Sequence, residues 1–263
     1  MNLPARVDAI IGLTREEVGA TVVGRVPIAP HTRGRDGGLH RGVILAAVDA
    51  TGGLACGLAS LPAWTVSTSL MAVVPRNGHT GPLRFDATIL RASRARVVAS
   101  VDVRDEGDDD RRVAHAVLTT AVLDPANGPP PFQRPVRVEP AVAQVDDLET
   151  AFGITLGEGL TTTLELRPAL RNRWGILHGG AVALLAEVAA VRAAGGGAAS
   201  RTVLHFLAPA RTGPVEARCT VLGDRRDKGG RRVVLVSAHD TGHDDRQVAL
   251  ASVTVLAGAF LNT

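Results

Sequence analysis

The sequence predicts an α+β protein built twice over, each copy a long helix wrapped by an antiparallel sheet. Three observations lead there: an internal repeat, a proline-rich segment near the middle, and the same order of helix-spaced and strand-like runs on either side of it. The repeat is visible by alignment of the chain with itself. LHRGVILAAVDATGGLA (39–55) lines up with LHGGAVALLAEVAAVRA (177–193) at an offset of 138, GPLRFDATIL (81–90) with GPVEARCTVL (213–222) at 132, and RDEGDDDRRVAHAVLTTAVL (104–123) with HDTGHDDRQVALASVTVLAG (239–258) at 135. Three blocks in one order at nearly one offset mean two copies of one unit.

Within each copy a Gly-containing turn leads into apolar residues at helical spacing, such as Val43, Ala47, Leu54 and Leu58, which predicts helices over His40–Leu61 and His178–Ala194. Strand runs rich in Val, Thr and Leu follow: 65–75, 83–90, 97–103 and 113–123 in the first copy, then 201–209, 215–222, 233–239 and 248–256 in the second. A helix followed by a meander of strands buries its apolar side against the sheet. Residues 124–140, DPANGPPPFQRPVRVEP, hold six of the 15 prolines and suit an extended connection. The expected organisation is a first repeat at 1–124, a linker at 125–140 and a second repeat at 141–263, an internal pseudo-dimer.

Composition narrows the function. The chain has 263 residues, 45% hydrophobic and 21% charged, enough to bury a core. Aromatics are 3% with no Tyr, so stacked platforms for nucleic acid or sugar are not expected. A net charge of +3 is far from a nucleic-acid footprint. Cys56 and Cys219 lack metal-ligand or disulfide spacing, so no metal and a reducing, cytoplasmic setting are expected. The N-terminus carries no signal-like apolar stretch, and the apolar segments 43–61 and 181–194 are interrupted by Asp49 or by Glu187 and Arg192; no membrane span is expected. There is no G-x-S-x-G, P-loop or G-x-G-x-x-G anchor. The acidic run 105–110 lacks the order of a calcium loop and reads as a solvated turn.

In both copies an acid stands nine residues after a histidine: Asp49 after His40, and Glu187 after His178. Nine residues put the acid about 13.5 Å along the helix axis and on the opposite face, so one helix cannot join the two. Antiparallel packing of the two helices about a pseudo-twofold axis would, giving two composite sites. A carboxylate among Val, Ala and Leu is costly unless paired or employed. At the helix starts, the N–H groups of 178–180 are expected to be unpaired, and Gly179 and Gly180 let a carbonyl oxygen approach. Asn172, Gly175, His178, Gly179, Gly180 and Glu187 together read N-x-x-G-x-x-H-G-G-x(6)-E.

With these motifs in both halves, the sequence resembles the hotdog-fold acyl-CoA thioesterases of the phenylacetate-pathway (PaaI) type, here as a tandem double hotdog. The resemblance implies a site joining Asp49 with Asn172, His178 and Gly179. Asp49 would be general base or nucleophile, Gly179 N–H the oxyanion donor and Asn172 an orienting group, with Thr65 near the place of a water-orienting hydroxyl and His178 holding the turn. Gly180 and Arg41 would contact substrate. The reciprocal site, with Glu187, His40 and Gly42, departs from the pattern: Arg41 stands for the first glycine and Gly34 for the asparagine. It is expected to be weaker. The expected activity is hydrolysis of an acyl-CoA thioester without a cofactor. The alternatives are an acyl-CoA binding or sensing protein and a hotdog enoyl-thioester hydratase. Sheet edges leave room for a homodimer of the fused chain.

Overall fold

The computed structural model describes residues 6–34, 37–75, 79–124, 134, 136–139, 143, 145–157, 160–223 and 230–256. In the first repeat a short helix α1 (Val7–Ile11) precedes strands β1 (Thr14–Val18) and β2 (Thr21–Val26), the long helix α2 (Arg41–Ala59), and strands β3 (Trp64–Val73), β4 (Leu83–Ala92), β5 (Arg96–Asp105) and β6 (Arg111–Leu123). After β7 (Arg137–Val138), the second repeat gives α3 (Leu148–Ala151), β8 (Ile154–Leu156), β9 (Thr162–Leu164), α4 (Gly179–Ala193), β10 (Ala198–Phe206), β11 (Val215–Leu222), β12 (Arg231–Asp240) and β13 (Arg246–Leu256).

Among the described residues the thirteen strands form one antiparallel sheet, in the order β7-β1-β2-β4-β5-β6-β3-β10-β13-β12-β11-β9-β8. The order reads nearly as its own mirror image about the β3–β10 seam, where Val73 faces Arg201 and Ser69 faces His205. This is two hotdog repeats joined edge to edge, a double hotdog. The eight strand runs expected after the helices are all present, with ends shifted by a few residues. The hairpins β1–β2 and β8–β9, which complete the sheet in each copy, are too short or too charged for an alternating pattern to be seen: TREEV in one and ITL in the other.

The described residues of the central segment pair with the first repeat. Most of 125–140 lies outside the described residues. Val136 is buried and its carbonyl accepts the Glu17 N–H, Arg137 and Val138 pair with Glu16 and Arg15, and the Ala143 N–H reaches Ala9 O. Proline removes ladder donors, yet the residues between prolines here close the edge of the first repeat's sheet.

Helix α2 is apolar on nearly every side because it is covered on nearly every side, by the sheet and by α4. By length and composition it could cross a bilayer, but 89% of its apolar window is buried inside the protein. A Cβ on Gly52 would sit 3.0 Å from Leu118 and 3.2 Å from Val101, so glycine lets the helix lie close on β5 and β6. The two long helices run antiparallel, as the paired contacts require: a Cβ on Gly42 would meet Leu184 at 2.8 Å, and one on Gly180 would meet the Ala46 backbone at 2.8 Å. These two positions are related by the repeat. Gly180 and Gly42 both serve the helix crossing, because the Ala46 backbone and Leu184 fill the space their side chains would need.

The acidic run also differs from expectation. Asp105 is fully buried and accepts the N–H groups of Thr80 and Gly81 at 2.8 and 2.7 Å. Its repeat partner Asp240 is equally buried and accepts from Arg211, Thr212 and Gly213. Both carboxylates fasten the Gly-Pro turn that opens the neighbouring strand, β4 or β11.

Candidate functional site

Asp49 sits mid-way along α2, 5% exposed, at the level where the N-terminus of α4 arrives from the other repeat. Its Oδ2 lies 3.3 Å from His178 Nδ1. A Cβ on Gly179 would stand 2.8 and 2.9 Å from the two Asp49 carboxylate oxygens, so only glycine leaves the carboxylate in place. The geometry brings together an acid from the first repeat and a helix start from the second.

His178 is the N-cap of α4, and its Nδ1 accepts the Gly180 N–H at 3.0 Å. A neutral ring that accepts at Nδ1 carries its proton on Nε2. The His178 N–H is itself taken by Leu170 O. Of the N–H groups at 178–180, then, that of Gly179 remains for a ligand, since a first-turn N–H has no intrahelical acceptor. Asn172 shapes the loop ahead of the helix: its Oδ1 accepts the Trp174 N–H at 2.9 Å, and its backbone binds Ile176 and Gly175.

The hydroxyl that holds the acid is that of Ser67, whose Oγ donates to Asp49 Oδ1 at 2.6 Å. Thr65 lies two residues earlier on the same face of β3 and lines the cavity without being the residue on the acid. Just beyond Ser67 the strand bulges, between Ser67 and Ser69, and the extra residue Thr68 donates its hydroxyl to Thr119 O. Cys56, also on α2, has its thiol pushed up to about 11 by burial, with the charge of Asp49 adding and a hydrogen bond from Thr120 opposing; it is protonated near neutral pH and no nucleophile.

The site opens into a cavity of about 1550 Å³ lined by Asp49, Ser67, Thr65, Asn172, His178 and Gly179 among others. Its volume exceeds the ~300–1,000 Å³ of pockets for drug-sized ligands. Cations stand along it, including Arg173 and Arg211. The Arg173 guanidinium lies 4.7 Å from the Trp64 ring centre, and burial and then the charge of Arg6 lower its pKa. Two neighbouring cations favour an anion between or beside them.

The reciprocal arrangement is not a copy. Glu187 Oε2 is 3.7 Å from His40 Nε2, whereas His40 Nδ1 caps α2 by accepting the Gly42 N–H. The longer acid meets the far side of the ring. Glu187 is 3% and Arg41 4% exposed, and neither lines the cavity around Asp49. Arg41 is thus placed in the interior rather than at a rim where a phosphate would meet it. Among the described residues no three His, Cys, Asp or Glu side chains converge to hold a metal ion.

Residues 169–257 match the family model of the acyl-CoA thioesterase N-terminal domain. That stretch of the second repeat belongs to this thioesterase domain family, and the chain as a whole has the double-hotdog fold. The match does not distinguish a phenylacetate-pathway type. Among solved structures the double hotdog is similar to a tesB protein of Mycobacterium avium subspecies paratuberculosis, at 17% identity and a TM-score of 0.61, with 95% of this chain and 97% of that one covered. A conserved protein of unknown function with a hot dog fold from Alicyclobacillus acidocaldarius gives 13% and 0.64, covering 95% and 97%. An acyl-ACP thioesterase from Bacteroides thetaiotaomicron gives 11% and 0.57, covering 89% and 97%. Likeness at these identities concerns the fold. Among curated proteins nothing matches the sequence.

Proposed function

We propose that the double hotdog hydrolyses an acyl-CoA thioester at the Asp49 site. The observation that carries this reading is the Asp49 carboxylate packed against Gly179, at the start of an α-helix and open to a large cavity. A carboxylate beside a free helix-start N–H supplies the two things thioester hydrolysis needs, a base and an oxyanion donor.

In the proposed reaction the thioester carbonyl oxygen takes the Gly179 N–H, and the positive end of the α4 dipole favours the negative charge that develops there. Asp49 removes a proton from water as the water oxygen bonds to the carbonyl carbon. Collapse of the tetrahedral intermediate breaks the C–S bond, and the proton held by Asp49 passes to the departing thiolate. Ser67 fixes one carboxylate oxygen so that the other faces the reacting water. His178, engaged by Gly180, holds the helix start in position. Asn172 does the same for the loop ahead of it. The cations near the cavity suit the phosphates of CoA. The Glu187 arrangement, buried with Arg41, supports a single working site per chain.

Thiol release from a panel of acyl-CoAs tests the proposal, with wild type beside Asp49→Asn. Release by the wild type, lost in the variant, supports it. Tight binding of the acyl-CoAs with no release by the wild type overturns it in favour of a sensor.

A further inference from the structure

Helix interiors disfavour glycine relative to alanine, so each glycine in α2 asks for a reason. For Gly42 and Gly52 the reason is contact, since a methyl group on either would strike a neighbour. Gly53 is different. It is half-buried, and among the described residues a Cβ built on it meets nothing within 4 Å. Packing of the described residues makes no demand for glycine there, and the space beside it is part of the cavity.

Gly53 and Gly57 stand four and eight residues after Asp49, about 6 and about 12 Å along the helix axis and close to one face. Both line the cavity, with Trp64 and Leu123, paired across β3 and β6, also in its wall. The polar groups Asn172, His178 and Arg211 belong to the other repeat's side of the cavity. The second repeat carries the control. At the offset of 138 the counterpart of Gly53 is Val191, packed against the core. The next residue, Arg192, crosses to the carbonyls of Thr161 and Gly157, and α4 ends at Ala193. Where α2 carries a bare glycine, α4 carries a side chain packed on the core.

We propose that Gly53 is a specificity-determining residue: the missing side chain opens a groove along α2 that receives the acyl chain beyond the thioester carbon. This rests on the acyl-CoA reading above. With bonds of about 1.5 Å, an extended chain advances ~1.3 Å per carbon, so the distance from Asp49 to Gly57 suits a chain of about nine carbons. The substrate class is then medium-chain acyl-CoA, and a side chain at position 53 would stop the chain about 6 Å from the acid.

The test measures binding by calorimetry of the non-hydrolysable thioether analogues of acetyl-CoA and octanoyl-CoA to wild type, Gly53→Ala and Gly53→Leu, alongside thermal melting. The expected result is loss of octanoyl affinity by roughly tenfold or more in Gly53→Leu, a smaller loss in Gly53→Ala, and acetyl affinity within about twofold of wild type. Should the leucine variant fail to fold, the alanine variant, which a helix favours, decides alone by the direction of its octanoyl shift. Octanoyl affinity equal to wild type in the folded variants, or equal loss for both analogues, overturns the proposal. Chain-selective loss in a protein that releases no thiol supports the groove while removing the hydrolytic reading. A wild type that binds neither analogue overturns both.

Discussion

Ser67 donates its hydroxyl to Asp49 Oδ1 at 2.6 Å, linking strand β3 to helix α2 inside the first repeat. The acid therefore faces the second repeat with one oxygen already engaged. A hydrogen bond to a charged group is worth about 1.5–3 kcal/mol, and here it also selects one orientation of the carboxylate. Ser67→Ala is expected to lower kcat by roughly ten- to hundredfold with little change in KM, and Ser67→Thr to restore much of it. Steady-state thiol release with the three proteins measures this, and an unchanged kcat in the alanine variant would remove Ser67 from the site.

The two acids are expected to respond unequally. Asp49→Asn keeps the shape of the side chain and removes the base, so turnover should fall by at least ~10³-fold. Glu187→Gln keeps shape in the buried reciprocal arrangement, which does not line the cavity, and should leave kcat/KM within about threefold of wild type. Equal losses in both variants would mean two working sites.

Much of this arrangement was legible in the sequence, and the rest was hidden for identifiable reasons. The repeat offset relating His40 and Asp49 to His178 and Glu187 is a covalent fact, and antiparallel helices turn it into the approach of Asp49 to His178 at 3.3 Å. Ser67 was not legible, because Thr65 and Ser67 share one face of β3 and alternation along a strand does not say which of them lies level with the acid. Gly179 and Gly180 look alike in sequence. Which of them faces a carboxylate and which a backbone depends on the depth of the helix crossing. Asp105 and Asp240 lie in charge-rich runs that suggest solvent, while their burial is set by turns more than twenty residues away.

Adjacent glycines give the sharpest separation of chemistry from folding. Gly180→Ala drives a methyl into the Ala46 backbone at 2.8 Å, which cannot swing aside. Overpacking of this kind costs about 1–3 kcal/mol and should lower the melting temperature by roughly 3–10 °C. Gly179→Ala instead displaces the Asp49 carboxylate, so activity should fall by at least ~100-fold with a smaller effect on melting. Calorimetric melting and thiol release on both variants check the pair; the reverse assignment of losses would contradict the geometry.

Acid should loosen the wall of the site through Asp240. Burial raises the pKa of its carboxyl, but the N–H groups of Thr212, Arg211 and Gly213, with His243 nearby, outweigh burial and hold it below the ordinary value of 3.8. A carboxyl depressed in the folded state stabilises the fold above its unfolded pKa, and that contribution is lost as pH falls through the folded value. Asp240→Asn should therefore be clearly less stable than wild type at about pH 7, and the gap should narrow as pH drops below about 4. Because the turn it fastens holds Ala210 and Arg211 in the cavity wall, wild type and variant should also converge in acyl-CoA affinity at low pH. Urea unfolding of both proteins across this range measures the effect, and a gap that stays constant down to about pH 3 would show that the charge of Asp240 contributes nothing.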